Sequence, residues 1–71
     1  HIMRKFSKYK QNLCVIQWDG NDYVMSYTTR VAKIDYCNQT LDQLGWWSVT
    51  TQRHINYAAD QLGLTLNRNG N

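Results

Sequence analysis

The fold is decided by residues 45–57, which read GWWSVTTQRHINY. This stretch joins two adjacent tryptophans to a helix start, so it links a strand, a helix cap and a helix within a few residues. In a strand, successive side chains point to opposite faces, and Trp46 and Trp47 therefore cannot both enter the same core. We expect one of them to be buried and the other to face a partner.

A helix from about Val49 to Leu62 is predicted from its cap and its apolar spacing. Ser48 or Thr50 supplies a side-chain oxygen that accepts a hydrogen bond from an otherwise unpaired backbone N–H at the helix start. Gly63 stands where a left-handed residue ends a helix. One apolar stripe, suited to lying across a sheet, recurs at i, i+3, i+4 and i+7 and consists of Ile55, Ala58, Ala59 and Leu62.

Short strands separated by turn residues precede this helix, and every connection between them is too short for a parallel crossover. The predicted strands cover residues 13–18, 23–28, 31–36 and 41–47, and an edge strand over 64–66 stays open. Val31, Lys33 and Asp35 are expected on a solvent-exposed face of the sheet. A bulge at Gly45 is expected to explain why the apolar residues in 41–47 do not alternate regularly. The predicted fold is α+β, an antiparallel meander of three to four strands with one C-terminal helix packed on one face.

The stretch at 45–57 and a second stretch at 26–35, which reads SYTTRVAKID, resemble a group of short, uncharacterised proteins encoded by tailed bacteriophages. The resemblance covers roughly residues 13–64. It implies a phage origin and a fold, but it implies no activity.

The length of 71 residues predicts a single domain. A chain of this size buries only about 60% of the surface that its unfolded form exposes. Its three tryptophans and five tyrosines allow a folded monomer without a metal, with self-association as the second possibility. We divide the chain into a basic N-terminal arm over 1–10, an α+β domain over 11–67 and a frayed tail over 68–71. His1 and Ile2 are interpreted as a cloning remnant before Met3.

The composition predicts a soluble protein of the host cytoplasm that has no membrane partner. No apolar run approaches the roughly 20 residues that a membrane span needs, and no secretion signal is present in the sequence.

Cys14 and Cys37 are too few for a disulfide framework and lack the spacing of a zinc site. We expect both to be free, buried thiols, although the sequence does not determine their redox state.

Catalysis is not expected, because the sequence has no glutamate and its aspartates lie mainly at turns. An enzyme needs a nucleophile with a base, a metal cluster, or two carboxylates in contrasting environments. His54, the one histidine besides His1, has no partners at metal-ligand spacing and is predicted to be a surface or boundary residue. The sequence therefore predicts a protein that is not an enzyme and that needs no cofactor or metal.

The predicted contact patch for a partner protein consists of Trp46, Trp47, Arg53 and Tyr57. Arg53 and Tyr57 are four residues apart and so are neighbours on the helix surface. Tryptophan, tyrosine and arginine dominate the energy of protein interfaces. The alternative is simple aromatic packing in the core. The function predicted from this patch and from the resemblance is that of a small phage accessory protein that occupies a host or defence-system macromolecule.

Two other functions stay open, and the first is nucleic-acid binding. The net charge of +3 is unevenly distributed along the chain. A basic N-terminal arm binds phosphates through counterion release, and the alternative is that the arm is simply solvated. Aromatic side chains on the sheet would stack on bases. The basic candidates are Arg4, Lys5, Lys8, Lys10, Arg30 and Lys33, and the aromatic candidates are Trp18, Tyr23 and Tyr27. The negative charges of Asp22 and Asp35 would oppose binding of a nucleic acid.

The second alternative is a structural or assembly component of the phage, which would associate with itself.

Overall fold

The computed structural model of the protein describes residues 2–9 and 12–68. His1, Lys10, Gln11 and residues 69–71 lie outside the described residues, and the last three form most of the predicted tail. The described part of the chain contains six strands and one helix: β1 (Ile2–Lys5), β2 (Leu13–Trp18), β3 (Asn21–Ser26), β4 (Thr29–Asp35), β5 (Thr40–Gln43), α1 (Val49–Leu62) and β6 (Thr65–Asn67).

The strands form one sheet in the order β1-β2-β3-β4-β5-β6. Neighbouring strands from β1 to β5 are antiparallel, whereas β6 lies parallel to β5. A parallel pair needs a crossover of a dozen or more residues, which the 14-residue α1 provides. The predicted α+β class with one C-terminal helix is confirmed.

The predicted number of strands, three to four, is wrong, because six are present in the described residues. The sheet begins inside the predicted basic arm, where Arg4 pairs with Val15 and Lys5 with Cys14. Phe6 follows β1 and is buried in the core. This strand was not predicted, because the adjacent cations Arg4 and Lys5 are more typical of a solvated arm. β6 lies one residue beyond the edge strand that the sequence left open at 64–66.

The strand predicted over residues 41–47 ends at Gln43, so the bulge expected at Gly45 is wrong. A bulge lies instead in β4, where Ala32 pairs with Val24 and Arg30 pairs with Met25, which leaves Val31 as the extra residue. Because a bulge turns a side chain out of strict alternation, Val31 is buried rather than on the wet face that we expected.

The predicted bounds of α1 are confirmed, and both ends are capped. At the first turn, Thr51 N–H donates to Ser48 Oγ at 3.3 Å. At the other end, Gly63 adopts a φ of 68°, a conformation that glycine reaches without steric cost. Its N–H donates to Asp60 O at 3.2 Å, and Leu64 N–H donates to Ala59 O at 2.9 Å. These bonds satisfy carbonyls that the helix itself leaves unpaired.

The core lies between α1 and one face of the sheet. Ile55 is 0% exposed, and Ala58 and Ala59 are buried beside it. These small alanines allow close approach to the buried sheet residues, which include Val24 and Leu41. In the described part of the chain no helix covers the opposite face of the sheet.

Replacing Ile55 with alanine should destabilise the domain strongly. The change leaves a cavity where the helix meets the sheet, at a cost of roughly 2 to 5 kcal/mol, out of a total stability of about 5 to 15 kcal/mol for a typical domain. Val49→Ala is the matched control, since Val49 lies on the same helix and is 71% exposed. Urea denaturation measures both variants, and an unchanged midpoint for Ile55→Ala would refute the packing.

Candidate functional site

The two tryptophans between β5 and α1 have different environments. Trp46 is 84% exposed, whereas Trp47 is half-buried and packs against the core cluster. The predicted difference in exposure is therefore confirmed, although Trp47 is half-buried and not fully buried as we predicted. Its predicted cause is wrong, because neither residue lies in a strand. The loop, and not strand alternation, separates the two rings.

A reciprocal amide pair ties this loop to the helix. Gln43 Nε2 donates to Gln52 Oε1 at 3.1 Å, and Gln52 Nε2 donates to Gln43 Oε1 at 2.8 Å. Gln43 is buried, and its Nε2 also lies 3.4 Å from the carbonyl oxygen of Gly45. A buried amide that is satisfied in this way holds its neighbours in one arrangement. These hydrogen bonds therefore fix the backbone on the N-terminal side of Trp46.

We use the name loop surface for the exposed side chains of Leu44, Trp46, Val49 and Arg53. Leu44 and Val49 are 49% and 71% exposed, on either side of Trp46 in the sequence. Arg53 is exposed and lies one turn along the helix from Val49. Tryptophan and arginine are the residue types most often critical at interaction sites.

Tyr57 belongs to a different region from the loop surface. It lies about 12 Å along the helix axis from Val49. Its ring centroid is 5.8 Å from that of Phe6 and 5.5 Å from that of Tyr9, and its hydroxyl is 3.2 Å from Ser7 Oγ. The structure therefore places Arg53 in the second turn of α1 and Trp46 three residues before the helix, whereas Tyr57 packs against the N-terminal segment.

His54 is buried, with 2% of its surface exposed, so the prediction of a surface or boundary histidine is wrong. Its Nδ1 lies 2.8 Å from Ser26 Oγ, and its ring lies 4.5 Å from the ring of Tyr9 and 5.7 Å from that of Tyr27. Both tyrosines have positive φ, 59° and 56°, which is unusual for bulky residues. In the sequence, the only indication that His54 is buried is its position four residues before Ala58, at the border of the apolar stripe.

The Ser26 and His54 pair has the spacing of a nucleophile and a base, but its setting is structural. Ser26 is itself buried, so its hydroxyl has no open approach for a substrate. The bond satisfies two buried polar groups and joins α1 to β3. The prediction that the protein is not an enzyme stays a prediction.

The described residues contain no group of three or more His, Cys, Asp or Glu side chains that could hold a metal ion. Both cysteines are free thiols, with Cys14 half-buried and Cys37 exposed. The expected burial of Cys37 is wrong, because this residue lies in the turn between β4 and β5.

A second aromatic group lies on the sheet face that α1 leaves uncovered, and we name it the open-face cluster: Trp18, Tyr23, Arg30 and Lys33. The guanidinium carbon of Arg30 lies 4.0 Å from the ring centroid of Trp18 and 5.2 Å from that of Tyr23. Lys33 pairs with Tyr23 across β3 and β4. Tyr27, which we had grouped with these rings, lies in the turn beside His54 instead.

The basic residues of the predicted arm do not share one surface. The Arg4 guanidinium lies 5.4 Å from the ring of Phe6, and Lys8 Nζ lies 5.2 Å from the ring of Tyr9. Lys5 is exposed and pairs with Cys14, which places it on the same sheet face as the open-face cluster because alternate residues share a face.

The described residues thus form a small α+β domain that presents aromatic and basic side chains to solvent. A family model described as a family of unknown function, DUF8033, matches residues 2–69. The protein belongs to this family, and the match includes β1. Neither curated proteins nor solved structures give a match. No helix in the described part of the chain is long and apolar enough to span a membrane.

Stability should fall on mild acidification through His54. Burial lowers the pKa of His54 below its ordinary value of 6.5, so below that pH the unfolded chain binds a proton that the folded protein resists. This contribution to stability is complete above about pH 6.5 and declines as the pH falls through the folded-state pKa. Urea titrations between about pH 8 and pH 5 measure it, with His54→Asn as the control that retains His1. Equal pH slopes for parent and variant would contradict the assignment.

Proposed function

We propose that the protein is a small, non-enzymatic accessory protein of a tailed bacteriophage that occupies a host or defence-system protein in the host cytoplasm. The proposed origin rests on the resemblance of residues 26–35 and 45–57 to phage proteins. Binding is favoured over catalysis because the buried Ser26 and His54 pair lacks an approach for substrate, whereas the aromatic surfaces are open.

The 84% exposure of Trp46 is the observation that carries this proposal. An indole that remains in water contributes little to the core of its own domain, and tryptophan is the residue type most often critical at interfaces. Leu44 and Val49, two residues before and three residues after it in the sequence, are also exposed. The partner that fits this surface has an apolar pocket for the indole and an acidic group within reach of Arg53.

The loop surface is also prepared for binding before any partner arrives. Trp47 anchors one side of the loop against the core, and the amides of Gln43 and Gln52 hold the other. Ordering a flexible loop costs free energy on association. A loop that is already held avoids most of that cost, so Trp46 can contribute its full contact area.

The two adjacent tryptophans should fail in different ways when each is replaced with alanine. Trp47→Ala should destabilise the fold by roughly 3 kcal/mol, the lower end for aromatic residues because the ring is only half-buried. Trp46→Ala should melt like the parent but bind its partner more weakly by about 2 kcal/mol, or roughly 30-fold in Kd. Thermal melting and affinity measurements on the partner recovered from infected cells test both.

The pull-down is made with and without nuclease, and Trp18→Ala is the matched control because Trp18 is an exposed tryptophan outside the loop surface. Recovery of the partner by Trp46→Ala at the parent level would overturn the proposal. If the parent self-associates and Trp46→Ala is monomeric, the surface serves assembly of the phage instead.

Nucleic-acid binding is the second candidate, and the stacking of Arg30 on Trp18 and Tyr23 favours it. Rings and cations together on one sheet face suit single strands, whose bases stack and whose phosphates need countercharge. Lys33 belongs to the cluster, and Lys5 lies on the same face of the sheet. Asp22 is adjacent to Tyr23 in β3 and therefore points to the opposite face, whereas Asp35, two residues beyond Lys33, shares the face of the cluster and opposes it electrostatically.

If the open face binds a single strand, affinity should fall with salt at a log-log slope of about −2, because three cations each release counterions. Arg30→Gln should flatten the slope, whereas Arg53→Gln, with the same loss of charge on the helix, should not. Deleting residues 1–10 is unsuitable, since it removes β1 and Phe6. Fluorescence titrations of labelled oligonucleotides measure the slope, and absence of binding at low salt excludes this candidate.

A further inference from the structure

A cavity of about 460 Å³ lies between the C-terminal end of α1 and the sheet. This volume is within the range of small-molecule sites. Three strands, the turn after β4 and the end of the helix contribute to its lining, which includes Arg4, Val15, Ile34, Tyr36, Leu62 and Leu64. The cavity is separate in sequence from the loop surface and from the open-face cluster.

The walls of the cavity are aliphatic, and its polar groups are few. Val15, Ile34, Leu62 and Leu64 supply the apolar surface. Such walls take up a saturated chain, since moving methylene groups out of water into an apolar site is favourable. Tyr36 donates its hydroxyl proton to Asp22 Oδ2 at 2.5 Å, so this hydroxyl is already committed as a donor.

Arg4 is the one lining residue with a formal charge. Its guanidinium lies over the ring of Phe6, and it forms no ion pair within residues 2–9 and 12–68. Guanidinium presents a planar set of N–H donors that matches a carboxylate. Beside Arg4, a ligand group that carried a positive charge would be repelled, and a neutral group would leave the charge of Arg4 without a counter-charge.

We propose that this cavity binds an aliphatic carboxylate, with the saturated chain against the aliphatic walls and the carboxylate oxygens accepting hydrogen bonds from Arg4. The site is independent of the proposed function, because none of its lining residues belongs to the loop surface. Trp46→Ala should therefore retain this binding even where it loses the partner protein.

Isothermal titration of the full chain with decanoate, decanol and decylamine tests the ligand class, with each probe kept below its micelle-forming concentration. Decanoate should bind saturably and at least about ten-fold more tightly than decanol, because its charge-assisted hydrogen bonds exceed neutral ones. Decylamine should bind most weakly. Equal affinities for all three probes, tighter binding of decylamine, or no saturable binding of decanoate would overturn the proposal.

Two neighbouring residues of β1 provide a matched pair of variants. Arg4→Gln and Lys5→Gln each remove one positive charge, but Arg4 lines the cavity whereas Lys5 lies on the opposite face of the sheet. Arg4→Gln should weaken decanoate binding about ten-fold and leave decanol unchanged, and Lys5→Gln should change neither. Leu64→Trp, confirmed as folded by thermal melting, should fill the cavity and block all probes. Equal losses for the two charge variants would show nonspecific attraction and overturn the assignment.

Discussion

The contact between the 14-residue α1 and one face of the six-stranded sheet is the constraint on which the rest of the described structure depends. Ile55, Ala58 and Ala59 make that contact. One helix covers only part of a sheet of this width. The uncovered face therefore carries the open-face cluster, and the space beyond the end of the helix becomes the cavity beside Arg4. The open-face cluster and the cavity both follow from the fact that a single helix packs on the sheet in the described part of the chain.

Two polar contacts fix how α1 lies on the sheet. Ser26 and His54 join the middle of the helix to β3, while Gln43 and Gln52 join its first turn to the end of β5. Buried polar groups that are fully satisfied favour one arrangement of a core over its alternatives. The second contact also sets the position of Trp46. The candidate binding surface is thus a direct product of the packing and not a flexible addition to it.

Local signals in the sequence predicted α1 with its bounds and caps, because Ser48 and Gly63 act within one turn of the backbone. The features that were missed depend on distant partners: β1 exists through pairing with β2, and the bulge at Val31 appears only when β3 lies beside β4. His54 looked polar and solvated because the sequence does not display Ser26 next to it. At the candidate site, the asymmetry of the two tryptophans was predicted but for the wrong reason, and the cavity beside Arg4, which is formed by distant segments, had no signal in the sequence.

Hydrogen exchange, followed by mass spectrometry on the protein alone and in complex with the partner recovered from infected cells, tests the central claim most directly. The claim is that the partner docks on the loop surface. Amides in residues 44–53 should then become protected on binding, while those of the open-face strands β2 to β4 should exchange as in the free protein. Protection confined to β2 to β4, with no change in residues 44–53, would contradict the account.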